Sequence, residues 1–254
     1  MAHQPFRLSI WAMMLFSITA YGFFFLLPIY LQQVHGYTTF QSGLILLPGA
    51  LFAGIATLLS GILSDRINPK IVAVVCLAGA AAASWIFHTD MDTPKGVLYL
   101  DYIWWGFFIG GTFAPVTLLA LGTLAEQDIA NGSTLVNVSR LIAGSIGTSY
   151  ATSMLSIRKD TFYEALSGNL TWGSPVLTDL FARFSQYAGG TTAAFDPDTW
   201  NRLIFQAKQL ILLRAASYAF EAVYEYLALF PLAALLCVLL VRLSAHKGVK
   251  VPVH

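Results

Sequence analysis

Gly61-Ile62-Leu63-Ser64-Asp65-Arg66-Ile67-Asn68-Pro69-Lys70 interrupts an otherwise apolar stretch of this 254-residue chain. Before it runs Gln41 to Leu63, and after it Ile71 to Phe87, both almost free of charge. A bilayer core of about 30 Å is crossed by roughly 20 apolar helical residues. The interruption therefore reads as a short charged turn between two spans. Gly61 and Asp65, four residues apart, share one helix face, and the glycine lets another helix approach where the carboxylate emerges at the membrane edge. Arg66 and Lys70 then fall at the level of the lipid phosphates. Alternatively, the turn holds Asp and Arg only because any polar connection would.

Applied outward from this turn, the same criterion yields six runs: Leu8 to Leu31, Gln41 to Leu63, Ile71 to Phe87, Val97 to Gly122, Ser133 to Leu155 and Val223 to Leu243. We call them A to F. They are continuous rather than ten-residue alternations, which argues against barrel strands, and helices satisfy their own backbone groups in lipid. Composition agrees. Hydrophobic residues make up 57% and charged residues 11%, against roughly a quarter charged in ordinary globular proteins, and the mean hydropathy is +0.67. An all-α polytopic membrane protein is expected. Run A, at about 24 residues and with no small-x-small cleavage site, reads as a retained span rather than a secretory signal.

Lysine and arginine in the short connections set the orientation. With the N-terminus inside, Arg7, Arg66, Lys70, Arg242, Lys247 and Lys250 gather on the inner side, and the short outer loops hold only Lys95. Both termini are thus expected to be cytoplasmic. The organisation expected is helices A to E over 1–155, an external segment over 156–222, and the last span with a cytoplasmic tail over 223–254. Within the external segment, Asp196-Pro197-Asp198 looks like a helix start, with Asp196 as cap and Pro197 at the first helical position. Trp200, Leu203, Ile204, Ala207 and Ile211 recur at helical steps while Arg202, Lys208 and Gln209 fall elsewhere. The resulting amphipathic helix, able to run unbroken into span F, either lies on the membrane or bundle or docks a partner.

Span E carries Asn137-Val138-Ser139-Arg140-Leu141-Ile142-Ala143-Gly144-Ser145-Ile146-Gly147-Thr148. Arg140 is the one basic residue well inside an apolar run, and such a residue demands water or a partner. Asn137 lies on its face. Ala143 with Gly147, and Gly144 with Thr148, form small-x-x-x-small pairs suited to a tight helix crossing. Two readings stay open for Arg140: the wall of an aqueous path, or a snorkelling side chain at the inner helix end.

The Gly61–Lys70 turn resembles the G-x-L-x-D-R loop of the major facilitator superfamily. Pro28-Ile29-Tyr30-Leu31-Gln32-Gln33-Val34-His35-Gly36-Tyr37, Gln41-Ser42-Gly43-Leu44, Leu47-Pro48-Gly49-Ala50, Gly110-Gly111-Thr112-Phe113-Ala114-Pro115 and Asn137 to Thr148 resemble stretches of its fourteen-span drug:proton antiporters, the EmrB/QacA type. Ala219-Phe220-Glu221 resembles that group's entry to the last span. The resemblance implies one six-helix repeat, core helices seven to twelve, with the external segment before the last helix. It implies a gating role for Gly61, Asp65, Arg66 and Lys70, with Asp65 set against a neighbouring helix N-terminus. It implies alternating-access efflux of lipophilic small molecules against protons in a bacterial inner membrane. The N-terminal six-helix half would come from another polypeptide or from self-association, and a periplasmic adaptor is a further candidate partner.

By helix analogy, spans A, B, D and E face the path. Ser17, Tyr21, Phe24 and Pro28 share one face of A, Trp105 and Phe108 stand on D, and Asn137 and Arg140 on E. Aromatic rings suit flat lipophilic cations or weak acids, and equally suit lipid or packing. The family's proton-titrating acids belong to the half not represented. Asp101 and Glu221 read as solvated outer helix ends rather than a relay.

A net charge of +1 gives no case for nucleic acid. No H-E-x-x-H, G-x-S-x-G or phosphate-cradling glycine loop occurs, so no enzyme or ATP-driven pump is indicated. Cys76 and Cys237 sit in apolar runs as packing groups, and His3, His35, His88, His246 and His254 are scattered, so neither a metal nor a cofactor is expected. Asn169-Leu170-Thr171 is a glycosylation sequon that matters only in a eukaryotic host. Two alternatives remain beside drug efflux: a non-transporting fragment or assembly subunit that binds an adaptor, and a metabolite or siderophore exporter.

Overall fold

The computed structural model describes residues 3–87, 93–168 and 197–241. The sequon, the Asp196 cap and Arg242, Lys247 and Lys250 lie outside them. Among the described residues six helices follow in order: α1 (His3–Gln33), α2 (Thr39–Arg66), α3 (Pro69–Trp85), α4 (Lys95–Leu121), α5 (Ile129–Gly168) and α6 (Pro197–Leu240). A 3-10 turn, Glu126–Asp128, precedes α5. The chain is all-α and polytopic.

Local signals explain where the helices start and stop. Thr38 caps α2 in a capping box with Gln41, its hydroxyl accepting from the Gln41 N–H and the Gln41 amide oxygen from the Thr38 N–H. Gly36 supplies the positive φ, 67°, that the α1–α2 turn requires. Asn68 caps α3, its side chain accepting from Lys70 N–H, with Pro69 at the first helical position. Within the Gly61–Lys70 stretch only Ile67 and Asn68 thus lie between the two helices.

Among the described residues, α1, α2, α4 and the Ile211–Leu240 part of α6 are long and apolar enough to cross a membrane. Helix α3 is apolar but has only 17 residues. Helix α5 misses the same standard because its outward side carries Asn, Ser, Thr and Arg. At 1.5 Å per residue, the 40 residues of α5 span about 60 Å and the 44 of α6 about 66 Å, far beyond a 30 Å core. Helix α5 continues past Leu155 to Gly168, and α6 is one helix from Pro197 to Leu240, reaching well into the stretch read as span F.

Packing repeats itself in a way the sequence hides. Helix α2 lies against α4 as α1 lies against α5, and α3 lies against α4 as α6 lies against α1. The two closest crossings match atom for atom. A Cβ on Gly49 would lie 2.6 Å from Tyr102 O, and one on Gly106 2.3 Å from Gly49 O. In the other crossing, a Cβ on Gly147 would lie 2.4 Å from Ile18 O, and one on Gly22 3.2 Å from Gly147 O. Tyr102 and Gly106 of α4 thus correspond to Ile18 and Gly22 of α1, and Gly49 to Gly147. Backbones touch at both places, as small residues permit in membranes, and the relation is that of two three-helix units. Hydroxyls add bonds between helices: Thr57 donates to Gly110 O at 2.8 Å and Thr19 to Leu227 O at 2.7 Å.

The aromatic core joins the two units. Phe23 stacks on Trp105 at 4.6 Å and on Tyr224 at 4.1 Å, and Phe87 meets Phe23, Tyr102 and Tyr224 edge-on. Trp105 also donates its indole N–H to Ser84 Oγ at 3.2 Å, which ties α3 to the rings that α1, α4 and α6 share.

Candidate functional site

Three places carry the residues that sequence reasoning singled out. The first is the α2–α3 turn. Gly61 faces α4, where its added Cβ would meet Ala114 Cβ at 3.9 Å, ordinary contact. Asp65 and Arg66 are exposed at the helix end. Lys70 is turned elsewhere: its Nζ donates to Leu239 O and Val241 O, both at 2.8 Å. These are end-of-helix carbonyls with no intrahelical donor, and a cation there also complements the helix dipole. The turn is therefore strapped to the end of α6. Nothing in the sequence around Lys70 points to α6, because the two are brought together only by the packing of α3 on α6.

The second place is the face of α5 that points away from the bundle. Asn137, Ser145, Ser149, Thr152, Ser153 and Ser156 are all exposed along it. Arg140 is half-buried beside them, donating to Asn137 Oδ1 at 2.9 Å with its guanidinium 5.7 Å from the Phe113 ring centre on α4. It lies eleven residues after Ile129, about 16 Å along the helix, so it stands well in from the end. Its Nε is buried without a partner, and no carboxylate among the described residues pairs with it. A cation held by one amide and one ring still has hydrogen-bonding capacity to offer an anion or water. Phe113, which the sequence reading did not assign to this role, is itself held edge-on by Phe16 at 4.9 Å.

On the inner face of α5, Ala143 is buried, Gly144 lies under the Tyr21 ring, where an added Cβ would come within 2.9 Å, and Gly147 meets the α1 backbone. Tyr21 is therefore a half-buried lid on Gly144. Phe24 is 48% exposed and touches Trp105 edge-on at 5.1 Å. Trp105 itself is in the core, as is Ser17, whose hydroxyl returns to Met13 O at 2.7 Å. Phe108 covers Gly79 of α3. These side chains do not converge on one cavity: Tyr21 and Arg140 belong to the α1–α5 side, and Phe108 to the α3–α4 side.

The third place is a cavity of about 510 Å³ among α2, α3 and α4, apolar except for Arg66, Ser60 and Cys76. It was not foreseen, because residues of three helices form it and none stands out by type. Among the described residues, no three of His, Cys, Asp and Glu come together to hold a metal.

At the opposite end of the bundle from the α2–α3 turn, the α1–α2 turn closes over His35. Its Nε2 is 3.0 Å from the Tyr30 hydroxyl, and its ring stacks on Tyr37, over which Lys95 lies at 5.3 Å from the ring centre. Burial lowers the imidazole pKa from its ordinary value. Further along, α5 and α6 are pinned together by Tyr150 on Phe230, by Phe162 near Tyr218, and by Arg158, which donates to the Tyr226 hydroxyl and lies over its ring.

Comparison with known proteins accounts for this architecture. A bacterial homologue of the human lysosomal transporter Spinster, solved inward-facing and occupied, superposes with a TM-score of 0.57 at 16% identity. That match covers 94% of this chain and 49% of that one, and it shows the fold alone. Among curated sequences, an uncharacterized MFS-type transporter of Bacillus subtilis, YhcA, is 32% identical over 68% of this chain and 33% of its own length. A multidrug resistance protein B homolog of Mycobacterium tuberculosis is 31% identical over 84% of this chain and 38% of its own. The multidrug export protein EmrB of Escherichia coli is 29% identical over 66% and 33%. The chain thus spans little more than a third of the length of these relatives. The profile of the Major Facilitator Superfamily matches residues 1–148, more than half of the sequence, and with the paired glycine crossings and the long apolar helices this places the chain in the major facilitator superfamily of membrane transporters.

Proposed function

We propose that this chain is the second six-helix repeat of a proton-coupled multidrug exporter working by alternating access. The observation that carries the reading is the outward face of α5. In lipid, an exposed Asn137 beside a half-buried Arg140, whose Nε is buried without a partner and which no carboxylate among the described residues pairs with, is costly. Facing a water-filled path between two six-helix units, the same pair has water and substrate as partners. Tyr21, Phe24, Asn137 and Arg140 would border that path, with Trp105 and Phe108 holding the helices behind it. Asp65, exposed and with no partner among the described residues, is available to a helix N-terminus of the other unit, and breaking that contact would accompany inward opening. The names of the Mycobacterium and Escherichia relatives support drug export. The basic residues of the short connections support both termini on the cytoplasmic side, and the bacterial sources of those relatives support an inner membrane.

The test is ethidium accumulation in bacteria lacking their own exporters, with the chain produced alone and together with the N-terminal six helices of the Mycobacterium relative. Lowered accumulation, restored by a protonophore and lost in Arg140→Gln, is expected in at least one arrangement. Unchanged accumulation in both would refute the reading.

A second reading rests on the length of α5 and α6. Helices of about 60 and 66 Å pinned together at Arg158–Tyr226 and Phe162–Tyr218 would project beyond the bilayer on one side, suited to docking a periplasmic adaptor. Co-purification of the adaptor with a chain that exports no dye would favour it.

A further inference from the structure

The two three-helix units differ where their second and third helices meet. Helices α5 and α6 are joined by ring contacts and by Arg158, whereas α2 and α3, which hold the equivalent positions, leave the 510 Å³ cavity between them with α4 as its floor. The floor is tight: Phe108 presses on Gly79, and a Cβ on Gly111 would lie 3.2 Å from Cys76 Sγ. The walls are apolar and their outer edges are bare, with Leu59 53%, Leu63 45% and Val75 58% exposed. The groove runs from Ala56 to Arg66 along α2, ten residues or about 15 Å. That length reaches from the membrane edge to the middle of a 30 Å core, the depth of one acyl chain in one leaflet. At its membrane-edge end stands Arg66, an exposed guanidinium with no partner among the described residues. Lys70, the neighbouring cation, is spent on α6, and Asp65 is not part of the wall.

We infer that this groove holds a phospholipid of the leaflet that meets the α2–α3 turn, one acyl chain lying between α2 and α3 and an anionic headgroup at Arg66. An apolar slot open along its side to hydrocarbon takes a chain without desolvating anything, and a basic residue at headgroup level selects anionic lipid. The inference rests on the chain spanning a membrane, not on its exporting drugs. A lipid seated there fills the gap that the packing of α5 on α6 closes in the other unit.

The purified chain, reconstituted in mixed phosphatidylglycerol and phosphatidylcholine and extracted gently, would be weighed intact with its bound lipids. One retained lipid is expected, enriched roughly fivefold for phosphatidylglycerol over its share of the mixture, as one surface arginine selects. Arg66→Gln should keep the lipid and lose the enrichment. Arg7→Gln, at the exposed start of α1, should change neither. Val75→Trp, which fills the slot from an exposed position, should lower retention of both lipids. Equal retention in the native chain, Arg66→Gln and Val75→Trp would overturn the inference. So would a lipid-free dimer, which would mean a second copy covers the groove, or displacement of the lipid by ethidium with no effect of Arg66, which would mean a drug site.

Discussion

Gly110→Ala tests the claim that the α2–α4 crossing is set by backbone contact. An added Cβ at Gly110 lies 2.1 Å from Ala53 O and 2.5 Å from Ala53 Cα. Both neighbours are main chain, so neither can swing away. Restoring ordinary contact near 3.4 Å moves the two helices apart locally by about 1.3 Å. The same movement stretches the Thr57 bond to Gly110 O, now 2.8 Å, past useful length. Overpacking of this kind costs about 1–3 kcal/mol, the lost bond about 1 kcal/mol, and alanine returns about 1 kcal/mol of helix propensity. The net loss is about 1–3 kcal/mol, or roughly 3–10 °C in Tm for a chain of this size. Gly54→Ala is the matched control, since nothing lies within 4 Å of its added Cβ, and only the propensity gain remains. A thiol-reactive dye reads unfolding in detergent, because the free thiols of Cys76 and Cys237 are both partly shielded. Equal Tm for Gly110→Ala and Gly54→Ala would show that the crossing tolerates a methyl and that the backbone contact does not set it.

Three further outcomes follow from single contacts. Lys70→Met removes the ammonium that donates both bonds to the end of α6, so amide exchange in the last turn of that helix should quicken and stability fall by about 1 kcal/mol; unchanged exchange would mean the strap holds nothing. Trp105→Phe keeps a ring against Phe23 but loses the bond to Ser84 Oγ and the core volume of the second indole ring, and should cost about 2–4 kcal/mol, read as a Tm drop larger than that of Ser84→Ala; equal drops would mean the site closes over the lost ring. His35 is held below the ordinary value of 6.5 by burial, so as pH falls through 6.5 the unfolded chain takes up a proton before the folded one and stability declines. His35→Gln should flatten that part of the stability–pH curve, and an unaltered slope would assign it to another group.

Charge punctuation made much of this fold legible. The Asp65–Lys70 cluster announces the end of one helix and the start of the next because lipid-spanning segments exclude such residues, and the structure turns the chain there at Ile67 and Asn68. Length was harder to read. The 156–168 stretch mixes Arg158, Lys159 and Asp160 with Ile157 and Phe162, a pattern that stays helical once it leaves the bilayer, so hydropathy marks where a span ends but not where its helix does.

What stayed hidden is the correspondence between the two three-helix units, and the reason is physical. Gly49 and Gly147 occupy equivalent places, yet the residues they touch, Tyr102 and Ile18, share no side-chain chemistry. Each crossing needs a missing Cβ on both helices, at Gly49 with Gly106 and at Gly147 with Gly22, and otherwise only the position of carbonyls, which every residue type carries. Selection on such contacts leaves a trace at isolated glycines and none at residues such as Tyr102 and Ile18 that offer a carbonyl, so two halves can keep one geometry while their sequences drift apart. The freedom is greatest where the units need not match, and that is where this chain departs from symmetry: α5 and α6 are stapled together by aromatic rings, while α2 and α3 part around an apolar groove with an arginine at its mouth. A repeat built on backbone contact can therefore keep its scaffold fixed and still make the equivalent seams differ, one sealed by protein and the other left for lipid.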